Sequence, residues 1–300
     1  MKKAYLILCA SALLGGCVSR VVNEESSTSS PTDKPLNLDD PEILENILVE
    51  AIDDDELHKR TKDAGEFFYA PDDETPFTGW AKVMGDKGGL HLLGHLKDGR
   101  RDGPLNVWRP NGQKQSESHY KGGKADGLFT EWAASGRKAW EGRYVDGKME
   151  GRWTYWYPSG QRLSKGKYVK GKRDGLFIEW RENGRKAWEG AYKLGEMEGS
   201  WTFWYETGQE LSKGDYKEDK RDGLFTDWWE NGRKQRQGNY EEGKLEGLLI
   251  EWNENGQKMW EGHFKAGKRQ GVFIYYNEDG TEKSRRTYKR GVEVVDREFA

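Results

Sequence analysis

Gly127-Leu128-Phe129-Thr130-Glu131-Trp132 opens a unit that returns every 24 residues. Its leading glycine recurs as Gly79, Gly103, Gly127, Gly151, Gly175, Gly199, Gly223, Gly247 and Gly271, without a slip. A second glycine follows each of them after nine residues, from Gly88 to Gly280. A third series, from Gly99 to Gly291, is broken once, at Asp219. Self-similarity at a fixed period of this length means a repeat architecture. A longer beat overlies it. The 24 residues from Gly127 match those from Gly175 at 16 positions, and the units from Gly151 and Gly199 both open on Trp-Thr-x-Trp-Tyr. Duplication of a two-unit block accounts for this.

Each unit reads as two strands. The first follows the leading glycine. A turn such as Glu182-Asn183-Gly184 or Pro158-Ser159-Gly160 comes next, then a strand such as Arg185 to Tyr192. Aromatic and β-branched residues bounded by Asn-Gly and Ser-Gly are a hairpin signal. A two-residue type I′ turn would force positive φ on Ser159 and Thr207. A type I turn closed by a glycine bulge needs it only at the glycine, and it welcomes Pro110 and Pro158 at its first corner. That three-residue loop is the expectation. Alternation then places Trp132, Trp140 and Tyr144 on one face, and Trp180, Trp188 and Tyr192 likewise. One observation points the other way. Glu131 with Trp140, Tyr155 with Ser164, Phe203 with Ser212 and Asp227 with Arg236 look like complementary pairs, which would face each other directly only in the two-residue register.

Composition agrees with an open β architecture. The 300 residues include 39 Gly, 14 Trp, 14 Tyr and 10 Phe. Leu, Ile, Val and Phe together make up less than about a fifth of the chain, a level typical of disorder only when net charge is high. Here 49 basic and 52 acidic residues leave −3. The aliphatic core of an ordinary α/β enzyme is excluded, and aromatic rings with glycine take its place. The predicted fold is all-β: an elongated single-layer antiparallel β-meander of about nine 24-residue hairpin repeats, after a short helix and a disordered tether. About 18 strands at 4.8 Å spacing would make a ribbon of roughly 85 Å. Stability in such an array is a nearest-neighbour sum, with atypical end units as caps. Met84 and Leu96 replace aromatics in the first unit, and Val294 and Val295 end the array without another glycine.

The pattern Gly-x-[Phe/Trp]-x-x-[Trp/Tyr]-x-x-[Asn/Ser]-Gly-x-x-x-x-x-Gly-x-Tyr-x-x-Gly-Lys-x-[Asp/Glu]-Gly resembles the bacterial MORN-repeat variant family. The entry Thr75-Pro76-Phe77-Thr78-Gly79 is similar to the way such arrays begin. The likeness runs from Phe67 to Gly291. It implies the open meander and, from relatives, roles in membrane association, protein scaffolding or antitoxin-like neutralisation of a toxin.

The ends read differently. Lys2 and Lys3 precede an apolar run, Ala4 to Leu14, too short to span a bilayer. It closes on Leu14-Gly15-Gly16-Cys17, which resembles a lipoprotein signal and implies cleavage before Cys17 and lipidation of that thiol. Cys9 leaves with the signal, so the mature chain has no free thiol for disulfides, catalysis or metal. The expected organisation is a signal peptide over 1–17, a Ser/Thr/Pro-rich flexible tether over 18–39, an acidic helical lead-in over 40–66, the repeat array over 67–294 and a tail over 295–300. Asp40-Pro41 reads as a cap with proline at the first helical position, and the helix is expected from about Pro41 to Lys59. From 18 to 75 there are 17 acids and 5 bases; from 76 on there are 42 bases and 35 acids.

Catalytic and metal signatures are missing from the sequence. His58, His91, His95, His119 and His263 fit neither HExxH nor a Cys/His zinc pattern, and there is no GxSxG or phosphate loop. The expectation is no enzyme activity, no cofactor, no metal, no nucleic acid and no small-molecule substrate. The stripe Trp132, Trp156, Trp180, Trp204, Trp228 and Trp252, rimmed by Lys and Arg, is the candidate binding surface, since Trp and Arg dominate interface anchors. The competing role for each ring is stapling adjacent repeats. The function expected is a non-catalytic protein-interaction scaffold, exported and membrane-anchored, on the outer-membrane or periplasmic face if the envelope is Gram-negative. The alternatives are a peptidoglycan or glycan binder and an immunity-type protein.

Overall fold

The computed structural model describes residues 36–62, 65–86 and 88–294. The expected signal peptide, Cys17, the expected tether as far as residue 35 and the expected tail over 295–300 lie outside them. The described residues up to Leu44 and those from Glu45 onward belong to separate compact units.

The helix begins as expected and stops early. The Asp40 side chain accepts the N–H groups of Glu42 at 3.0 Å and Ile43 at 3.5 Å, capping a helix that spans Pro41–Glu50. It ends well short of Lys59. The chain extends at Ile52 and Asp53, and Asp54–Glu56 then make a single tight 3-10 turn and do not continue the α-helix. Ile52–Asp53 lies parallel to Gly79–Met84 at the edge of the main sheet, with Ile52 opposite Ala81. Lys82 Nζ donates to the Leu48 carbonyl at 3.0 Å. A small hairpin, His58–Lys62 with Gly65–Tyr69, forms its own two-stranded sheet. The expected array start at Phe67 falls inside this hairpin. Leu57, Ala81 and Leu96 form a buried cluster with Ile52, Phe68 and Phe77, so a mixed aliphatic and phenyl cluster caps the first repeat.

From Gly79 the chain is one meander. A 22-stranded sheet takes successive hairpin strands in sequence order. A typical unit pairs Lys124–Trp132 with Lys138–Val145. Among the described residues its only parallel pairing is the Ile52–Asp53 edge.

The two turns of each unit differ. At the first, the Gly184 N–H donates to the Arg181 carbonyl at 2.9 Å and the Arg181 N–H to the Arg185 carbonyl at 2.8 Å. This is the expected three-residue loop with a glycine bulge. Gly184 has φ of 81°, and neither Ser159 nor Thr207 is left-handed. The second turn joins one unit to the next in two residues. Asp146 at φ 49° and Gly147 at φ 76° make it type I′. Its glycine N–H reaches back one repeat, as Gly147 does to the Ala125 carbonyl at 2.8 Å. The acid of the Lys-x-[Asp/Glu]-Gly motif accepts from the other turn residue. Glu150 takes the Lys170 N–H at 2.8 Å, and Glu246 takes that of Ala266 at 2.7 Å. These acids thus tie repeat to repeat.

Asp219 occupies the broken glycine position at φ 64° and offsets the cost by accepting the Met197 N–H at 2.7 Å. Leu194, at φ 53° and 60% exposed, makes no such side-chain bond. A left-handed L-residue costs roughly 1–2 kcal/mol, less for Asn. Leu194→Asn is therefore expected to raise stability by about 1 kcal/mol in denaturant unfolding. Asp219→Gly should gain much less, since it loses the bond to Met197. Equal gains at the two sites would contradict this account.

The register joins both readings of the sequence. Next to the turn Trp132 faces Lys138, as a three-residue loop requires; one step on, Glu131 faces Trp140, skipping Ala139. The same single-residue bulge recurs in every unit from His91 and Gln115 to Met259 and Lys283. Tyr155 therefore faces Ser164, Phe203 faces Ser212, and Asp227 faces Arg236. The expected grouping of Trp132 with Trp140 and Tyr144 is corrected. One extra residue reverses the alternation, so Trp132 lies on the opposite face from those two. Trp180 is likewise separated from Trp188 and Tyr192.

Candidate functional site

The bulge divides the rings between two faces with different work. On one face a ladder of rings forms the core, with Leu249 in the buried ring position of the eighth repeat. Trp153 and Trp201 are each 2% exposed and Phe273 is fully buried. Trp201 stacks on Trp188 at 5.2 Å, meets Tyr192 edge-on at 5.0 Å and touches Phe203 at 5.9 Å. Equivalent contacts run from Phe129 to Tyr240 and from Trp260 to Tyr288. Offset and edge-on geometry suits the ring quadrupoles. Arg173 lies over Phe177 and Tyr192, and Arg221 over Phe225 and Tyr240, so guanidinium groups roof the Phe units.

A glycine floors each buried Trp and Phe ring. A Cβ on Gly142 would stand 2.1 Å from Trp153, and one on Gly190 2.0 Å from Trp201. Gly166, Gly214 and Gly262 stand in the same relation to Phe177, Phe225 and Phe273. The family pattern contained this glycine, yet sequence reading did not count it among the phased series. Its signal was present: it precedes x-Tyr, or x-Phe at Gly262. In the second unit Ser118 takes its place, 1% exposed, and bonds the Leu105 carbonyl at 3.0 Å.

Trp132, Trp156, Trp180, Trp204, Trp228 and Trp252 share the other face, half-buried and outside the ring ladder. Stapling belongs to the opposite side. What links these tryptophans to their neighbours is the backbone. Each carbonyl of Trp132, Trp180, Trp204 and Trp228 accepts a side chain from the preceding repeat: Arg109 at 2.5 Å, Tyr157 at 2.9 Å, Arg181 at 2.6 Å and Tyr205 at 2.8 Å. A cation from the preceding repeat lies over the indole in several units. Lys114 is 5.9 Å from the Trp132 centroid, Lys186 5.4 Å from Trp204 and Lys234 5.8 Å from Trp252. Lysines at this position in the repeat also pair with the acid three ahead in several units. Lys138 pairs with Glu141 at 2.6 Å, Lys186 with Glu189 at 2.5 Å and Lys258 with Glu261 at 2.8 Å. Glu261 also accepts the Tyr276 hydroxyl, which pushes the phenol up to about 12. Along the same face Leu128, Leu176 and Leu224 are 60%, 58% and 52% exposed.

Of the repeat glycines singled out, Gly103, Gly127, Gly151, Gly175, Gly199, Gly223, Gly247 and Gly271 all have positive φ, as at Gly151 with 70°, and sit where the strand takes up extra residues against its upstream neighbour.

The histidines do not converge. His91 Nδ1 contacts the Trp108 carbonyl at 2.8 Å, while His95 Nδ1 contacts that of Asp102 at 2.7 Å. A cavity lined by Phe68, Ala81, His95 and Leu105 holds about 20 Å³, room for one water. Among the described residues no group of three His, Cys, Asp or Glu side chains could hold a metal ion.

Residues 149–170 and 197–218 match the family model described as MORN repeat variant. The chain carries MORN-variant repeats. The two matched MORN segments hold Trp153 and Trp201, the buried indoles of the ladder. No curated protein matches the chain. Among solved structures, one titled "Crystal Structure of TcdB2-TccC3-Cdc42" aligns over 76% of this chain and 18% of its own, at 12% identity and a TM-score of 0.14. Another, "Crystal Structure of TcdB2-TccC3", aligns over 78% and 19%, with the same identity and TM-score. The chain spans less than a fifth of the length of either. Likeness at that level does not bear on the fold.

Proposed function

We propose that this MORN-variant array is a non-catalytic protein-interaction scaffold, held at the cell envelope by lipid on Cys17. The observation that carries the reading is the tryptophan face: a row of half-buried indoles beside exposed leucines, repeated unit after unit and not needed for the core. Trp and Arg are enriched at interface hot spots, and charged rims set orientation and on-rate. Cations already lie over several of the indoles, which favours a protein partner over a sugar stacked flat on the ring. The Leu14-Gly15-Gly16-Cys17 box supports export and lipidation.

A photo-crosslinking residue at Leu176 should capture a partner protein in living cells. Mass spectrometry identifies the product. Recovery of no protein, or retention of the chain on purified peptidoglycan through high salt, would reject the scaffold. Cys17→Ser should release the chain from membranes on fractionation; continued membrane association would reject the anchor.

A further inference from the structure

We propose that the fourth repeat holds the docking site for an acidic, partly aliphatic segment of a partner protein. This rests on the scaffold reading and names the site and its chemistry.

The motivation is a break in the charge pattern of the tryptophan face. In the second, third, fifth and eighth repeats the residue after the first turn is Lys and the one three ahead is Glu, and each forms an ion pair: Lys114 with Glu117, Lys138 with Glu141, Lys186 with Glu189, and Lys258 with Glu261. The seventh replaces the acid by Gln237, which still bonds Lys234 at 3.3 Å. The ninth reverses the order and pairs Glu282 with Arg285. The fourth repeat places cations at both positions, Arg162 and Lys165. Both lean over Trp180, at 5.3 and 5.8 Å from its centroid, with no carboxylate between them.

Two more cations join them. Arg152 faces Lys167 directly across the strand pair, and both are exposed. Like charges directly opposed destabilise a sheet. Among the described residues none of these four cations forms an ion pair. Trp156 faces Arg162 at the turn end of this row, with Thr154 opposite Lys165 between it and Arg152, and among the described residues no cation lies over its ring. Leu176, on the same face in the next unit, is 58% exposed. The fourth repeat thus carries cations at both positions where the second, third, fifth and eighth carry a Lys–Glu ion pair, with a further opposed cation pair on the same face. Carboxylates from outside would pair with them. Trp156 and Leu176 supply the apolar contact that a purely anionic ligand would leave unused.

The test uses the full chain in detergent micelles and a labelled synthetic helical peptide with Glu on one face and Leu on the other. The peptide should bind, with affinity falling as salt rises. Arg162→Glu with Lys165→Glu should weaken binding about tenfold or more, about 1.4 kcal/mol for each factor of ten. Exchanging Lys186 and Glu189 in the fifth repeat, which conserves charge, should leave affinity within about twofold. Circular dichroism checks that each variant is folded. Polyglutamate binding as tightly as the Glu/Leu peptide would overturn the proposal, because the apolar contacts would then add nothing. Unchanged affinity in the fourth-repeat variant would overturn it too. So would self-association of the chain that this variant abolishes, which would make a second copy the occupant. A partner captured in cells from Leu176, and captured equally by the fourth-repeat variant, would leave the scaffold standing and remove this site.

Discussion

Trp201→Ala is expected to cost about 3–5 kcal/mol, the range for emptying a buried aromatic site, while Trp204→Ala, three residues away, should cost about 1 kcal/mol or less. The two side chains are the same, and they lie on one strand, Glu196–Trp204. They differ in face. The Trp201 indole contacts rings at positions 188, 192, 203 and 216, within 6.0 Å, and its Nε1 donates to the Ala191 carbonyl at 3.1 Å. Trp204 is half-buried under Lys186 and contributes its backbone carbonyl to Arg181, a bond that alanine retains. Urea unfolding of both variants separates them. Comparable losses would mean that the two faces share the core, and the tryptophan face could no longer be assigned to binding.

Gly190→Ala should be nearly as damaging as the loss of the ring, at about 3 kcal/mol, toward the upper end of overpacking penalties. The added Cβ would stand 2.0 Å from Cδ2 and 2.3 Å from Cε2 of Trp201. The indole cannot withdraw, because Trp188 stacks on it at 5.2 Å and Tyr192 holds it edge-on at 5.0 Å. The diagnostic is the double variant. With Trp201 already alanine the obstruction is gone, and Gly190→Ala should then cost about 1 kcal/mol or less, a coupling expected only of residues in contact. Additive losses would refute the ring-on-glycine packing. Hydrogen exchange should show the damage concentrated in the fifth and sixth repeats, because each unit of a nearest-neighbour array depends on the adjoining ones.

Much of this was legible before any coordinates. The unbroken leading-glycine series announced hairpin repeats, and Asn183-Gly184 and Pro158-Ser159-Gly160 announced the three-residue loop. Asp40-Pro41 announced where the helix starts. Its end was not legible, because Asp53 to Glu56 follow helical-looking residues and only the pairing of Ile52 with Ala81 shows what the chain does instead. The pairing of Asp227 with Arg236 was visible as a complementary swap, and the arginine does bond that carboxylate at 2.6 Å. It conflicted with the loop length because a bulge leaves no mark of its own: Ala139, Leu163 and Gln235 share no side-chain chemistry.

From the order of its residues alone this chain is bound to be an open ladder of hairpins with rings in place of an aliphatic core. Spacing of glycine and aromatic residues is a local property, and local turn preferences carry it. Which ring lies on which face was decided only by the assembled sheet. A strand's faces exchange with every inserted residue, and the insertion opposite Glu131 and Trp132 is held by hydrogen bonds to the neighbouring strand, not by anything in the bulged residue itself. Which tryptophans are left outside the core follows from that exchange.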